Sequence, residues 1–260
     1  MGDTNIQWTS YTWNPVTGCE KVSPGCANCY AERLANTRLK RYYPEGFHKV
    51  TLHPERLKQP LKLKKSREIF VNSMSDLFNR KVPDSFILIV LGVIRECPQH
   101  NFQVLTKRAE RMQRFMSRLW LDSDVPMLNG NSFSLTGEES THKGWDNLWL
   151  GVSVENQDFV HRIDYLRKTP AKVRFLSCEP LLGELKLDLK DIHWVIVGGE
   201  SGFNHRPMKA EWAQSIRDQC LEAGVPFFFK QWGGRTSKAN GRMLDGREWN
   251  EKPGFVAEVA

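Results

Sequence analysis

Cysteine is scarce in this chain, six of 260 residues. A disulfide-stapled scaffold carries roughly 8–10% cysteine in a short secreted chain, so that class is excluded. Long hydrophobic runs are missing too. The longest, from Phe86 to Ile94, is nine residues, against the roughly 20 that a membrane-spanning helix needs. The first residues, Met1 to Trp8, lack the basic and then apolar regions of a secretory signal. The expectation is a cytoplasmic, reducing location with no membrane contact, where thiols stay free to serve as ligands or nucleophiles. No internal repeat is visible. Apolar residues are not short, at 40% of the chain, enough to fill the core of one large α/β domain.

Short segments rich in β-branched and aromatic residues alternate with segments of helical period, the pattern of a parallel α/β protein. Strands are expected at 69–73, 102–106, 148–153, 173–177, 194–198 and 225–230, with a first one near 13–17. Helices are expected at about 27–41, 84–96, 107–120, 156–168 and 209–223. The passage from Glu179 to Asp191 is too short for a helical crossover. The fold class this predicts is a partial (β/α) TIM-type barrel of about six or seven mostly parallel strands, in one domain over 1–260. A surface insertion is expected at 121–146, and a covering C-terminal tail from about 234.

Nearly every strand ends in small and polar residues, and in a β/α barrel those ends assemble the active site. Turn chemistry explains about half of them. It explains less well the carboxylates Glu155, Glu179 and Glu200, each of which follows a strand by one or two positions.

The most informative stretch runs from Thr17 to Glu32. Cys19, Cys26 and Cys29 fall within eleven residues, as C-x6-C-x2-C, on a loop with Gly and Pro that leads into a helix. A helix N-terminus and nearby basic residues favour the thiolate form. Three readings compete. A structural zinc takes four protein ligands, and His48 or His53 could complete such a set, though neither has the usual spacing. A redox pair, Cys26-x-x-Cys29, leaves Cys19 without a role. A [4Fe–4S] cluster held by three thiolates leaves one iron open. S-adenosylmethionine can chelate that iron, and electron transfer then cleaves its sulfonium to a 5′-deoxyadenosyl radical.

Eight blocks in order now carry a resemblance. They are Trp13-Asn-Pro-Val-Thr-Gly-Cys19, Ser23-Pro-Gly-Cys-Ala-Asn-Cys-Tyr-Ala-Glu-Arg33, Phe70-Val-Asn-Ser-Met-Ser-Asp-Leu-Phe78, Leu105-Thr-Lys-Arg108, Trp149-Leu-Gly-Val-Ser-Val-Glu-Asn156, Arg174-Phe-Leu-Ser-Cys-Glu-Pro-Leu-Leu182, Trp194-Val-Ile-Val-Gly-Gly-Glu-Ser-Gly202 and Pro226-Phe-Phe-Phe-Lys-Gln-Trp232. Over about residues 7–233 the sequence resembles the phage and prophage three-Cys-motif, radical-SAM-like family, whose function is uncharacterised. The resemblance implies a [4Fe–4S] cluster on Cys19, Cys26 and Cys29, with S-adenosylmethionine as second cofactor. It departs from the wider radical SAM pattern in three ways. The first cysteine interval is six rather than three, Asn28 replaces the aromatic residue before the last cysteine while Tyr30 follows it, and Gly-Gly-Glu occurs at 198–200 instead of ending the second strand.

Strand order suggests the remaining contacts. Ser73, Ser75 and Asp76 are candidates for the methionine amino group, and Ser153, Glu155 and Asn156 for the ribose. Tyr30, Gly198 and Gly199 join them as cofactor contacts, the glycine pair because it permits close backbone approach. Glu179 and Glu200 are expected to point into the mouth as catalytic groups. Cys178 is a candidate hydrogen-atom donor, with a small core residue as the alternative. Thr106, Lys107 and Lys230 are candidates for a substrate phosphate or carboxylate.

The net charge is +7. Residues 32–67 hold eleven Lys or Arg against three Asp or Glu, a local +8, so the rest of the chain sums to −1. With Tyr42, Tyr43, Phe47 and His48 interleaved, this segment suits a nucleic-acid or nucleotide partner as well as it suits a solvated surface. A low-potential electron donor and a separate partner protein complete the expected partners. The competing reading is a non-enzymatic nucleic-acid-binding protein whose cysteines fold the N-terminal loop round zinc or an inert cluster.

Overall fold

The structure is a computed structural model that describes residues 2–122, 124–126, 132–134 and 145–254. The expected insertion at 121–146 falls largely outside the described residues.

Eight strands form one sheet: β1 (Gly2–Asp3), β2 (Tyr11–Trp13), β3 (Glu68–Val71), β4 (Asn101–Thr106), β5 (Leu148–Ser153), β6 (Val173–Cys178), β7 (Trp194–Gly198) and β8 (Phe227–Gln231). Their order in the sheet is their order in the chain. Every neighbouring pair from β2 to β8 is parallel, and only β1 runs antiparallel, against β2. The architecture is therefore mixed α/β with a mostly parallel sheet, one strand larger than expected. Sequence order with parallel strands places every crossover on one side, which is where the helices lie.

These are α1 (Tyr30–Asn36), α2 (Asp84–Arg95), α3 (Ala109–Asp122), α4 (Arg162–Arg167) and α5 (Ala210–Ala223). In α2, Phe86, Ile87, Val90, Leu91, Val93 and Ile94 are buried against the outer face of the sheet. No helix separates β6 from β7, as the short 179–191 passage predicts. No helix among the described residues is long and apolar enough to cross a membrane.

The first expected strand, 13–17, divides in two. Pro15 has no N–H to give a ladder, so β2 ends at Trp13 and Val16–Thr17 pairs antiparallel with Thr51–Leu52 instead.

The inner face is closed at one end by aromatics. Trp8, between β1 and β2, lies 4.7 Å from the ring of Phe70 on β3 and 6.3 Å from that of Trp194 on β7. In a flat sheet those two strands would be about 19 Å apart, four spacings of roughly 4.8 Å. One indole reaches both only because the sheet curls round it. Trp149, Phe175 and Phe228 complete this plug at the first halves of their strands. The C-terminal ends of the strands are left around an open hollow.

Residues beyond Gly233 divide their work. Arg235, Thr236 and Ser237 border the hollow, while Trp249, Asn250 and Glu251 run back along β8 through backbone hydrogen bonds to Phe229 and Phe227.

Candidate active site

The hollow is a cavity of about 890 Å³, within the usual range for small-molecule sites. Trp8, Phe70 and Leu105 form its floor, and the strand ends and the cysteine loop form its walls. Cys19, Cys26, Cys29 and Tyr30 line it, together with Ser73, Ser75, Asp76, Thr106, Lys107, Ser153, Glu179, Gly199, Glu200 and Lys230. Cys178, Glu155, Asn156 and Gly198 do not.

Three carboxylates from three strand ends hold the cysteine loop. Glu155, fully buried just beyond β5, accepts a hydrogen bond from Ser23 Oγ at 2.6 Å and pairs with Lys107 at 2.7 Å and Arg162 at 2.8 Å. Gly25 belongs to the same contact, since a Cβ there would stand 2.6 Å from Glu155 Cγ. Burial alone would raise the Glu155 pKa, but Lys107 and Arg162 outweigh it and hold the carboxyl below the usual range. Glu200, beyond β7, accepts from Asn28 Nδ2 at 2.9 Å and from the backbone N–H of Arg206 at 2.8 Å. Its other oxygen takes Arg206 Nη2 at 2.5 Å, and the same nitrogen donates to Pro24 O at 2.9 Å. Burial opposes ionisation of Glu200 as well, and the Arg206 and Asn28 hydrogen bonds reverse the shift downward. Asp76, beyond β3, accepts from Thr106 Oγ1 at 2.7 Å and Arg108 Nη1 at 2.8 Å. Arg108 in turn donates to Cys19 Sγ at 3.7 Å and to Glu20 O at 3.0 Å. Glu20 pairs with Lys81 at 2.9 Å.

Each cysteine thus sits beside a tie: Cys19 on Arg108, and Cys26 and Cys29 on either side of Asn28 in a segment also held through Ser23 and Pro24. All three are partly buried and free of disulfides. Burial raises the Cys19 pKa to about 11, with Asp76 adding to the rise and Arg108 opposing it, and burial raises that of Cys29. A bound metal would reverse this by taking the thiolate. Among the described residues no three His, Cys, Asp or Glu side chains converge as a single metal ion requires. Three thiols bordering one cavity are the donor set that a [4Fe–4S] cluster with three protein ligands would take, and Cys19, Cys26 and Cys29 would supply it. The thiol donor set and the Arg108 donor at Cys19 fit that group.

Glu179 and Lys230 form the pair that faces the cavity without holding the loop, with Nζ 2.5 Å from Oε1. Beside them Ser153 and Ser177 are register partners on β5 and β6. Both are almost wholly buried, at 3% and 2% exposure, and both line the cavity. Among the described residues no group hydrogen-bonds to either hydroxyl.

A family profile matches residues 3–253 of this sequence. The chain belongs to the family described as "Protein of unknown function (DUF5131)". No curated protein matches this DUF5131 chain. A solved structure titled "Spore photoproduct lyase complexed with dinucleoside spore photoproduct" is similar to it, with a TM-score of 0.44 and 9% identity over 80% of this chain. The DUF5131 chain covers 59% of that protein's length.

Most of the expected site residues also have partners within this DUF5131 protein. Asp76, Glu155 and Glu200 all make internal hydrogen bonds and ion pairs, and of the three Asp76 and Glu200 also line the cavity. Ser75 Oγ donates to Val16 O at 2.8 Å, and Ser73 Oγ exchanges hydrogen bonds with Asn14, so both serines tie the end of β3 to the segment after β2. Tyr30 donates its hydroxyl to Ser73 O. Thr106 supports Asp76, and Lys107 supports Glu155. Gly198 lies behind the wall, facing Glu179, and Asn156 Nδ2 turns to Asp158 at 3.2 Å. Cys178 stands on the helix side of β6, fully buried in the outer core. Strand alternation sends Phe175 and Ser177 inward, so Leu176 and Cys178 must face outward. Ser177 is the residue that sequence reasoning passed over, and that alternation was the signal for it.

Proposed function

We propose that this chain is a radical S-adenosylmethionine-type iron–sulfur enzyme, with a [4Fe–4S] cluster on Cys19, Cys26 and Cys29. One observation supports it most: three thiols on a loop tied at several points border the same deep cavity as polar residues from the ends of six strands, β3 to β8. A purely structural metal site needs no such cavity. When bound, the cluster and S-adenosylmethionine supply one-electron cleavage of the sulfonium. The chain's own residues do the rest. Glu155, Glu200 and the Asp76–Arg108 pair fix the loop, and Arg108 places a positive charge against Cys19. The aromatic floor keeps water from entering below. Ser153 and Ser177 offer free hydroxyls to cofactor or substrate, and Glu179–Lys230 offers one acceptor and one cation for orienting a polar group. The curled parallel sheet serves as the partial barrel of this enzyme type. A low-potential donor, a reducing cytoplasmic setting and a phage or prophage origin belong to the same reading.

The test is anaerobic purification followed by iron, labile sulfide and zinc determination, then reduction with S-adenosylmethionine and chromatography for 5′-deoxyadenosine. About four irons and four sulfides per chain are expected, with 5′-deoxyadenosine formed, and both lost in Cys19→Ala. Stoichiometric zinc without iron, as the non-enzymatic nucleic-acid-binding reading requires, overturns the proposal.

A further inference from the structure

The cavity mouth carries cationic charge that the described residues do not neutralise. Four carboxylates line the cavity, Glu20, Asp76, Glu179 and Glu200, and each is matched by a cation as described above. Lys107 is likewise spent on Glu155. Three guanidiniums on the lining remain, Arg33 and Arg38 from α1 and the turn after it and Arg235 from the C-terminal segment. All three are exposed, and none makes a salt bridge within the described residues.

Two of them converge on one feature. Arg33 lies against Gly202, where a Cβ would stand 2.6 Å from its Nη1. Arg235 lies over the ring of Phe203, 5.3 Å from its centroid. Phe203 is 80% exposed and borders a shallow groove that Arg33 also lines, next to the cavity. Phosphate oxygens are the natural partners of unpaired guanidiniums. A flat exposed ring beside them is what a base stacks on.

We propose that a single-stranded nucleic acid crosses this mouth, its phosphates on Arg33, Arg38 and Arg235 and a base on Phe203, so that the neighbouring nucleotide enters the cavity towards Ser153, Ser177 and Glu179–Lys230. This deepens the proposed function by naming its substrate class, and rests on it only for the chemistry inside the cavity. It also relocates the expected nucleic-acid contact. Most of the basic segment at 32–67 is not involved. Lys62, Lys64 and Lys65 lead into the start of β3, at the opposite end of the sheet from the mouth.

Fluorescence anisotropy with labelled single-stranded DNA and RNA tests this on the anaerobically purified protein. The strands are about 20 nucleotides long, more than the 4–16 one site covers. Three phosphate contacts predict a log–log salt slope of about −2, hence affinity about 20-fold lower at 200 than at 50 mM salt. R33Q/R38Q/R235Q should abolish that slope and weaken binding at least tenfold at low salt. Phe203→Ala should weaken binding about tenfold with the slope unchanged. K62Q/K64Q/K65Q removes the same charge elsewhere and should change neither. The inference is overturned if that control weakens binding as much as the mouth variant does. It is also overturned if a mononucleotide competes as well as the strand, or if the protein ignores the strands and sediments with phosphatidylserine vesicles. Binding is read without turnover. An iron-loaded protein that ignores the strands defeats this inference alone, and a zinc-loaded protein that binds them through the mouth defeats only the radical SAM reading.

Discussion

Both oxygens of Glu155 are spent inside the protein, Oε1 on Ser23 and Lys107 and Oε2 on Arg162. Glu155→Gln keeps the shape but leaves two cations without their counter-charge. Removing one partner of a buried pair costs roughly 3–5 kcal/mol, with the lower end expected because Lys107 is partly accessible. The pH dependence follows from the lowered pKa. A depressed carboxyl stabilises the fold above its unfolded value of about 4.3 and loses that contribution as pH falls through its lower folded value. Wild-type melting temperature should therefore drop on acidification below about pH 4, and E155Q should show a lower but flatter profile. Equal slopes would mean that Glu155 is not ionised in the fold. Gly25→Ala attacks the same tie from the other side. Its Cβ would press on Glu155 Cγ and Oε1 at 2.6 Å, and a side chain with three partners cannot yield. A cost of about 1–3 kcal/mol is expected, together with reduced iron incorporation by colorimetric assay.

At the level of elements, the central strands were the most legible part of the chain. Leu148–Ser153 and Trp194–Gly198 are continuous apolar runs because both of their faces are buried. The ties of the cysteine loop were not legible, because they join distant residues. Ser23 and Glu155 are 132 residues apart, and Asn28 and Glu200 are 172 apart. A carboxylate after a strand announces a polar strand end but not its partner, so the ties that Asp76, Glu155 and Glu200 make were not readable from the sequence. Trp8 was missed because one aromatic between two short strands has no periodicity, yet the curl of the sheet closes on it. Trp8→Ala should cost about 3–5 kcal/mol, lowering the melting temperature by roughly 6–20 °C at 2–4 °C per kcal/mol for a domain of this size. Alternation along β6 gives another check. Cys97, Cys178 and Cys220 are buried on the helix side, and burial pushes Cys97 and Cys220 up to about 12. In metal-free native protein, iodoacetamide followed by peptide mass spectrometry should modify only Cys19, Cys26 and Cys29. Labelling of Cys178 before unfolding would contradict its outward placement.

For the molecule as a whole, the question is whether the fold depends on the metal that the loop is proposed to hold. Small metallo-domains unfold when chelated because the metal replaces a core they lack. This chain has a core that runs unbroken between the sheet and its helices and a second one inside the curl. The cysteine loop adds to neither. It is held by Ser23, Asn28 and Arg108, through hydrogen bonds that do not involve the metal. Removing iron should therefore leave far-ultraviolet circular dichroism unchanged and thermal unfolding cooperative. Faster amide exchange should be confined to residues 19–29 and the start of α1, since that segment packs on a small separate cluster of Ala31, Ala35, Phe47 and Met74 and on neither of the two larger cores. Under the competing reading, in which the metal folds the N-terminal segment, chelation should also release β2 and the antiparallel pair Val16–Thr17/Thr51–Leu52 next to the loop. Hydrogen exchange resolved by peptide separates the two outcomes. Protection retained in Tyr11–Trp13 and Thr51–Leu52 after iron removal identifies a preformed cavity that receives its cluster, and loss of protection there identifies a fold that the metal builds.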